Sequence, residues 1–123
     1  MKTVQGTSNK TVWIRVLYPR ILEEDISKEA SAMALKKTTF IRTALYDEVR
    51  KQSVPNIILI ENKIKEIASK RHGNPSDWKA LAFEVGEDFK KDATTFAQKC
   101  GMYSREKFLG YLLLNFLVKR GRI

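Results

Sequence analysis

Thr11 to Tyr18 reads TVWIRVLY, and Trp78 to Val85 reads WKALAFEV. In the first stretch Val12, Ile14 and Val16 alternate with Thr11, Trp13 and Arg15. That is the period of a strand with one packed face. Pro19 closes it, because proline cannot donate to a ladder. In the second stretch Leu81, Phe83 and Val85 share a face, Ala80, Ala82 and Glu84 take the other, and Gly86 closes it. These two short strands, far apart in the chain, set the frame for everything between and after them.

Each strand precedes a pair of helical patterns. After Pro19, Ile21 to Leu35 carries Leu22, Ile26, Ala30 and Met33 at helical spacing, and Lys36-Lys37 breaks the pattern. Thr38-Thr39 is positioned to cap a second helix whose apolar face holds Phe40, Ile41, Ala44, Leu45 and Val49. After Gly86, Phe89, Ala93, Phe96 and Ala97 define a helix through Cys100, and Gly101 is placed to stop it. Ser104 can cap a last helix holding Phe108, Leu109, Leu112, Leu113, Phe116 and Leu117. That helix is apolar nearly all round, which predicts burial, with any residual apolar surface recruiting a second chain. A membrane-surface helix is the rival, but a strongly basic polar face is missing.

An offset of 67 takes Ile14 to Leu81, Val16 to Phe83, Leu22 to Phe89 and Ala30 to Ala97. Beyond the helix–helix turn the offset becomes 68, taking Phe40 to Phe108 and Leu45 to Leu113, as one inserted turn residue would require. The repeat is one of pattern rather than identity. Between the halves, Val54-Pro55 and Asn74-Pro75 bracket a connecting helix from Asn56 to His72. Its Ile57, Ile60, Ile64 and Ile67 make a packed face; two heptads are too few to argue a zipper, and Gly73 is placed to end the helix. The expected organisation is a flexible arm (1–10), a first unit (11–52), a connecting helix and linker (53–77) and a second unit (78–123).

Composition narrows the classes. The chain has 123 residues, 43% of them hydrophobic, enough for one compact domain or two small units sharing a core. Lys+Arg is 23 against 14 Asp+Glu, a net charge of +9, which points to a polyanion partner. Charge is even along the chain: +4 over 1–52, +1 over 53–77 and +4 over 78–123. One cysteine, Cys100, allows no intrachain disulfide, and one histidine, His72, allows no ordinary zinc site. Neither a signal peptide nor a membrane span is expected, and a reducing cytoplasm is.

A strand followed by two helices cannot bury its own apolar faces. The stretches IRVLYP with KKTTFIRTAL, and LAFEVGEDF with GMYSREKFLGYLL, resemble the ribbon-helix-helix family, which includes the Arc, MetJ and CopG repressors. The resemblance implies a mainly α fold with a two-stranded antiparallel β-ribbon. The ribbon would enter the major groove of double-stranded DNA. Two such units in one chain resemble TraY-type relaxosome proteins and imply an intramolecular pseudo-dimer. The function implied is sequence-selective DNA binding, either as an accessory factor at a plasmid transfer origin or as a transcriptional repressor. The partners implied are DNA, a second chain on DNA, and a relaxase or other transfer protein, with no cofactor and no membrane.

The resemblance assigns base reading to the outward strand residues. Arg15 leads, because a guanidinium can bond guanine O6 and N7 together; Trp13 can touch a thymine methyl or the sugar backbone. In the second strand Ala82 offers only apolar contact, and Glu84 repels phosphate while able to accept from cytosine N4. That strand either reads bases or only completes the fold. Phosphates would be clamped at the N-termini of the second helices, by Lys36, Lys37, Thr38 and Thr39 in one unit and Ser104, Arg105 and Lys107 in the other. Plain helix capping is the alternative there, as a solvated charge is for Arg15. Basic ends (Lys2, Lys10, Lys119, Arg120, Arg122) would add nonspecific attraction or solubility.

Catalytic patterns are lacking: there is no Gly-rich phosphate loop, Ser/His/Asp set or metal spacing, so an enzyme is not expected. His72 reads as a helix-end residue and Cys100 as core. Glu23-Glu24 and Glu87-Asp88 sit at helix starts, where they suit the dipole. The rival from another class is a helical protein–protein interaction module with an incidental basic surface.

Overall fold

The computed structural model describes residues 10–123, so Lys2 and all but the last residue of the expected arm lie outside the described residues. It is mainly helical, with one two-stranded sheet. Strand β1 (Thr11–Pro19) leads through a 3-10 turn (Arg20–Leu22) into α1 (Glu23–Ala32) and then α2 (Lys37–Arg50). Helix α3 (Ile57–Lys70) follows, then β2 (Trp78–Gly86), α4 (Glu87–Lys99) and α5 (Arg105–Lys119).

The strands pair antiparallel from Thr11↔Gly86 to Pro19↔Trp78, with Arg15 opposite Ala82 at the centre. One face packs: Ile14, Val16, Tyr18, Phe83 and Val85 are buried. Among the described residues the ribbon has two strands only, and its inner face needs the helices for cover. Helices α2 and α5 run to opposite ends of it. On α2, Arg42 Nε donates to Glu84 O (3.1 Å), and Tyr46 Oη accepts from the Gly86 N–H (3.0 Å). On α5, Gly110 lies against Leu17, and Tyr111 meets Trp78 edge-on at 5.6 Å.

Gly110 marks the closest approach. A Cβ there would sit 1.9 Å from the carbonyl oxygen of Leu17. A residue that looks like a break in an apolar run is thus the point where a helix backbone meets a strand backbone. The rest of α5 is buried as its composition requires, from Phe108 to Leu114 and again at Leu117. Phe116 and Val118 are its half-buried apolar residues. Helix α3 covers α5 with Ile60 and Ile64, and the hydroxyl of Tyr111 donates to Glu61 of α3 at 2.7 Å.

Several boundaries differ from the sequence reading. The helix expected over 21–35 begins as the 3-10 turn and stops at Ala32, where Ala34 takes a left-handed φ of 57° and Leu35 N–H returns to Ala30 O. Gly101, 67 residues on, does the same with φ 75° and a bond from Met102 N–H to Ala97 O. Both ends are Schellman turns. The inserted residue behind the change of offset is Tyr103, fully exposed. Thr38 and Thr39 do not cap α2: Lys36 is the N-cap, without a side-chain bond. Ser104 does cap α5, accepting from Lys107 N–H at 3.1 Å. The residue that ends α3 is His72, with φ 55°, while Gly73 is small because a Cβ would lie 2.5 Å from Ile21 Cγ2.

The C-terminal cations are structural. Glu29 and Glu48 are both fully buried. Arg120 and Arg122 pair with Glu29, while Lys119 (2.7 Å) and Asn115 (2.8 Å) donate to Glu48. These contacts fasten the end of α5 to α1 and α2. At the other end Lys10 pairs with Glu87 at 3.7 Å. Lys119, Arg120 and Arg122 are therefore not the loose tail expected.

Two stability measurements follow. An ordinary Gly→Ala change inside a helix gains about 1 kcal/mol. Gly110→Ala is expected to lose about 3 kcal/mol by urea unfolding instead, because the new methyl overpacks against backbone that cannot yield. Arg120→Ala with Arg122→Ala is expected to lose about 3 kcal/mol, since it strands a buried carboxylate. A midpoint unchanged from wild type would refute either.

Candidate nucleic-acid interface

Strand alternation places Thr11, Trp13, Arg15 and Leu17 of β1 beside Ala80, Ala82 and Glu84 of β2 on the outward face. The four residues expected to read bases form two adjoining cross-strand pairs, Trp13 opposite Glu84 and Arg15 opposite Ala82. Trp13 is 62% exposed, a large indole left in water next to a packed core. Ala82 leaves room beside Arg15. The Glu84 carboxylate accepts from Thr11 Oγ1 at 3.0 Å, which turns it along the strand edge. Leu17, on the same face two residues past Arg15, is missing from the sequence reading although the alternation that chose Arg15 also selects it.

Arg15 has a partner that no local pattern announces. Its guanidinium lies 3.5 Å from a carboxylate oxygen of Glu106, in the first turn of α5. Both side chains are substantially exposed, and a pair of that kind is worth about 0–1 kcal/mol. Lys90 of α4 donates to Trp13 O (3.1 Å), as Arg42 of α2 donates to Glu84 O. Two cations that sequence reasoning missed therefore flank one cross-strand pair. They lie on helices of different halves, so spacing along the chain could not reveal them.

The expected phosphate clamps divide. Lys36 is exposed at the N-cap of α2, and no carboxylate lies within 4 Å of it among the described residues. Lys37 is committed elsewhere. It donates to Glu23 at 2.7 Å, as Lys79 does at 2.7 Å, and the buried Tyr18 hydroxyl closes the same carboxylate. Thr38 and Thr39 are half-buried in the first turn. On α5, Ser104 is exposed but caps the helix. Arg105 is half-buried and donates to Thr94 Oγ1 (3.1 Å), and Lys107 stands 5.2 Å above the Trp78 ring. Lys36, Ser104 and Lys107 are the exposed members of the set.

Burial alone would raise the Glu23 carboxyl. The hydrogen bonds from Lys37, Lys79 and Tyr18 outweigh that and hold it at about 2, against an ordinary 4.5. Burial, then the Glu23 bond and charge, push the Tyr18 phenol well up. Burial and the Glu61 bond do likewise to Tyr111, and burial raises the half-buried Cys100 thiol. Among the described residues no group of three or more His, Cys, Asp or Glu side chains is placed to hold a metal ion, and no helix is long and apolar enough to cross a membrane. No family model, curated protein or solved structure matches the chain.

The Glu23 cluster has a measurable sign. Because the folded carboxyl sits at about 2, the unfolded chain takes up this proton first as pH falls. The stabilisation is present above about pH 4.5 and is lost between there and about 2. Glu23→Gln is expected to flatten the acid limb of the stability–pH curve over that window and leave it parallel to wild type at neutral pH. An unchanged acid slope would refute the assignment.

Proposed function

We propose that the chain is a sequence-selective double-stranded DNA-binding protein. In this reading it carries two ribbon-helix-helix units, 11–52 and 78–123, joined by α3 into an intramolecular pseudo-dimer. The observation that carries the reading is the outward face of the ribbon. An exposed indole and a guanidinium project side by side from the two-stranded ribbon, with Glu84 opposite the indole and Ala82 opposite the guanidinium. Such a ribbon fits the major groove. The Arg15–Glu106 pair does not oppose it, because a bidentate arginine–guanine contact is worth roughly 1–3 kcal/mol and the exposed ion pair less. Lys36, Ser104 and Lys107, at the starts of the two helices that flank the ribbon, supply backbone contacts, with Lys90 and Arg42 near the Trp13–Glu84 pair.

The cellular role in this reading is a relaxosome accessory factor at a plasmid transfer origin, or a repressor. A helical interaction module is the second reading, favoured by one observation: Val54 (69% exposed) and Ile58 (74% exposed) leave apolar surface at the start of α3.

Selection from a random duplex pool at two salt concentrations tests the proposal. An enriched motif bound with steeply salt-dependent affinity is expected. Arg15→Ala is expected to weaken that motif about 10-fold or more while barely changing affinity for random duplex, the signature of a base contact. Equal loss on both would remove Arg15 from base reading. Absence of salt-dependent retention would leave the interaction module.

A further inference from the structure

We propose that the cleft where α3 meets the ribbon seats one DNA phosphate, on one flank of the ribbon only; this rests on the DNA-binding reading above. The cleft encloses about 380 Å³ and is lined by Leu17, Trp78, Lys65, Lys107, Ser76 and Glu61, among others. Leu17 belongs to the ribbon's outward face, so the cleft borders the surface assigned to the duplex. Three separate elements bring its polar groups together. Lys65 comes from α3, Ser76 from the turn before β2, and Lys107 from the first turn of α5.

The chemistry suits a single phosphate. Lys65 and Lys107 are exposed, and neither has a carboxylate within 4 Å among the described residues. Lys107 is steadied over the Trp78 ring, whose Nε1 is itself anchored to Pro75 O at 3.0 Å. Ser76 is fixed by a bond from its N–H to Asn74 Oδ1 (2.8 Å), and its hydroxyl has no bonded partner among the described residues. Glu61 is the one carboxylate in the lining. It accepts from the Tyr111 hydroxyl at 2.7 Å, and the two lysines leave the cleft with a net positive charge.

The other flank has no equivalent. The offset of 68 puts Thr39 where α5 has Lys107, and the offset of 67 puts Glu84 where β1 has Leu17. Helix α3 occurs once, so Lys65 has no counterpart. A seat of this composition is therefore proposed beside Leu17 and not beside Glu84, where Lys90 and Arg42 donate to strand carbonyls.

The test is the salt dependence of affinity for a mixed-sequence duplex, with ethylation interference on any duplex that selection recovers. Lys65→Ala is expected to reduce the slope of log affinity against log salt by about 0.9, the value for one phosphate contact. Lys65→Arg should restore it, and Lys99→Ala, on α4, should leave it at the wild-type value. Interference should vanish at one phosphate on one flank. An unchanged slope for Lys65→Ala, or an equal fall for Lys99→Ala, would overturn the seat while wild-type binding keeps the DNA reading intact. Loss of wild-type salt-dependent binding would overturn both.

Discussion

The structure turns on the approach of α5 to β1 at Gly110. A two-stranded ribbon has no sheet behind it, and its inner face is covered only if a helix can come close. With no side chain at Gly110, the helix backbone reaches the carbonyl of Leu17. That approach brings Tyr111 against Trp78 and, through Glu61, ties α3 to the same place. At the position related by the repeat, Arg42 reaches out and bonds the carbonyl of Glu84. One strand rests on a helix backbone, and the other is held by a side chain. The ribbon is thus seated unequally on the two helices beneath it, and the cleft beside Leu17 forms on the side of closer seating.

The charge of +9 is less available than it looks. Lys119, Arg120 and Arg122 neutralise Glu48 and Glu29, which are buried and would be very unfavourable alone. Lys37 and Lys79 do the same for Glu23. Burial sets the ranking. Cations that serve buried carboxylates are fixed by the fold, whereas Arg15 is tied only to the exposed Glu106 and can change partner. Among the described residues the lysines outside any ion pair are Lys36, Lys63, Lys65, Lys90, Lys91, Lys99 and Lys107, of which Lys36 and Lys107 stand at the starts of the helices that flank the ribbon.

The strands were legible because a half-buried strand writes its exposure into every second residue. The alternation in TVWIRVLY and LAFEV chose the buried Ile14, Val16, Phe83 and Val85 correctly. The burial of α5 was legible for a similar reason, as nearly every residue of it is apolar. What could not be read were long-range pairings of single charges. Nothing local to Arg15 announces Glu106, and nothing in the basic C-terminus announces Glu29. Helix ends were read through favourable residue types, but the backbone chose differently. Ala34 and His72 adopt left-handed φ without being glycine, held there by the bonds that close α1 and α3. For Ala34 this costs about 1 kcal/mol, so the turn is set by the packing of α1 on α2 rather than by its own preference.

In the proposed pseudo-dimer the two units differ in sequence, and the outward face of the ribbon is where that difference changes the chemistry. Arg15 faces Ala82, and Leu17 faces Ala80. A ribbon made from two identical chains would present the same residues from both strands and favour a symmetric target. Here nearly every polar group on the outward face, apart from Glu84, comes from β1, and the added helix α3 stands on one side. A single chain that fixes both strands in one order can present an asymmetric surface without sorting partners. In the proposed reading that surface suits a target whose halves differ, with the specificity carried by β1 and the grip strengthened beside α3.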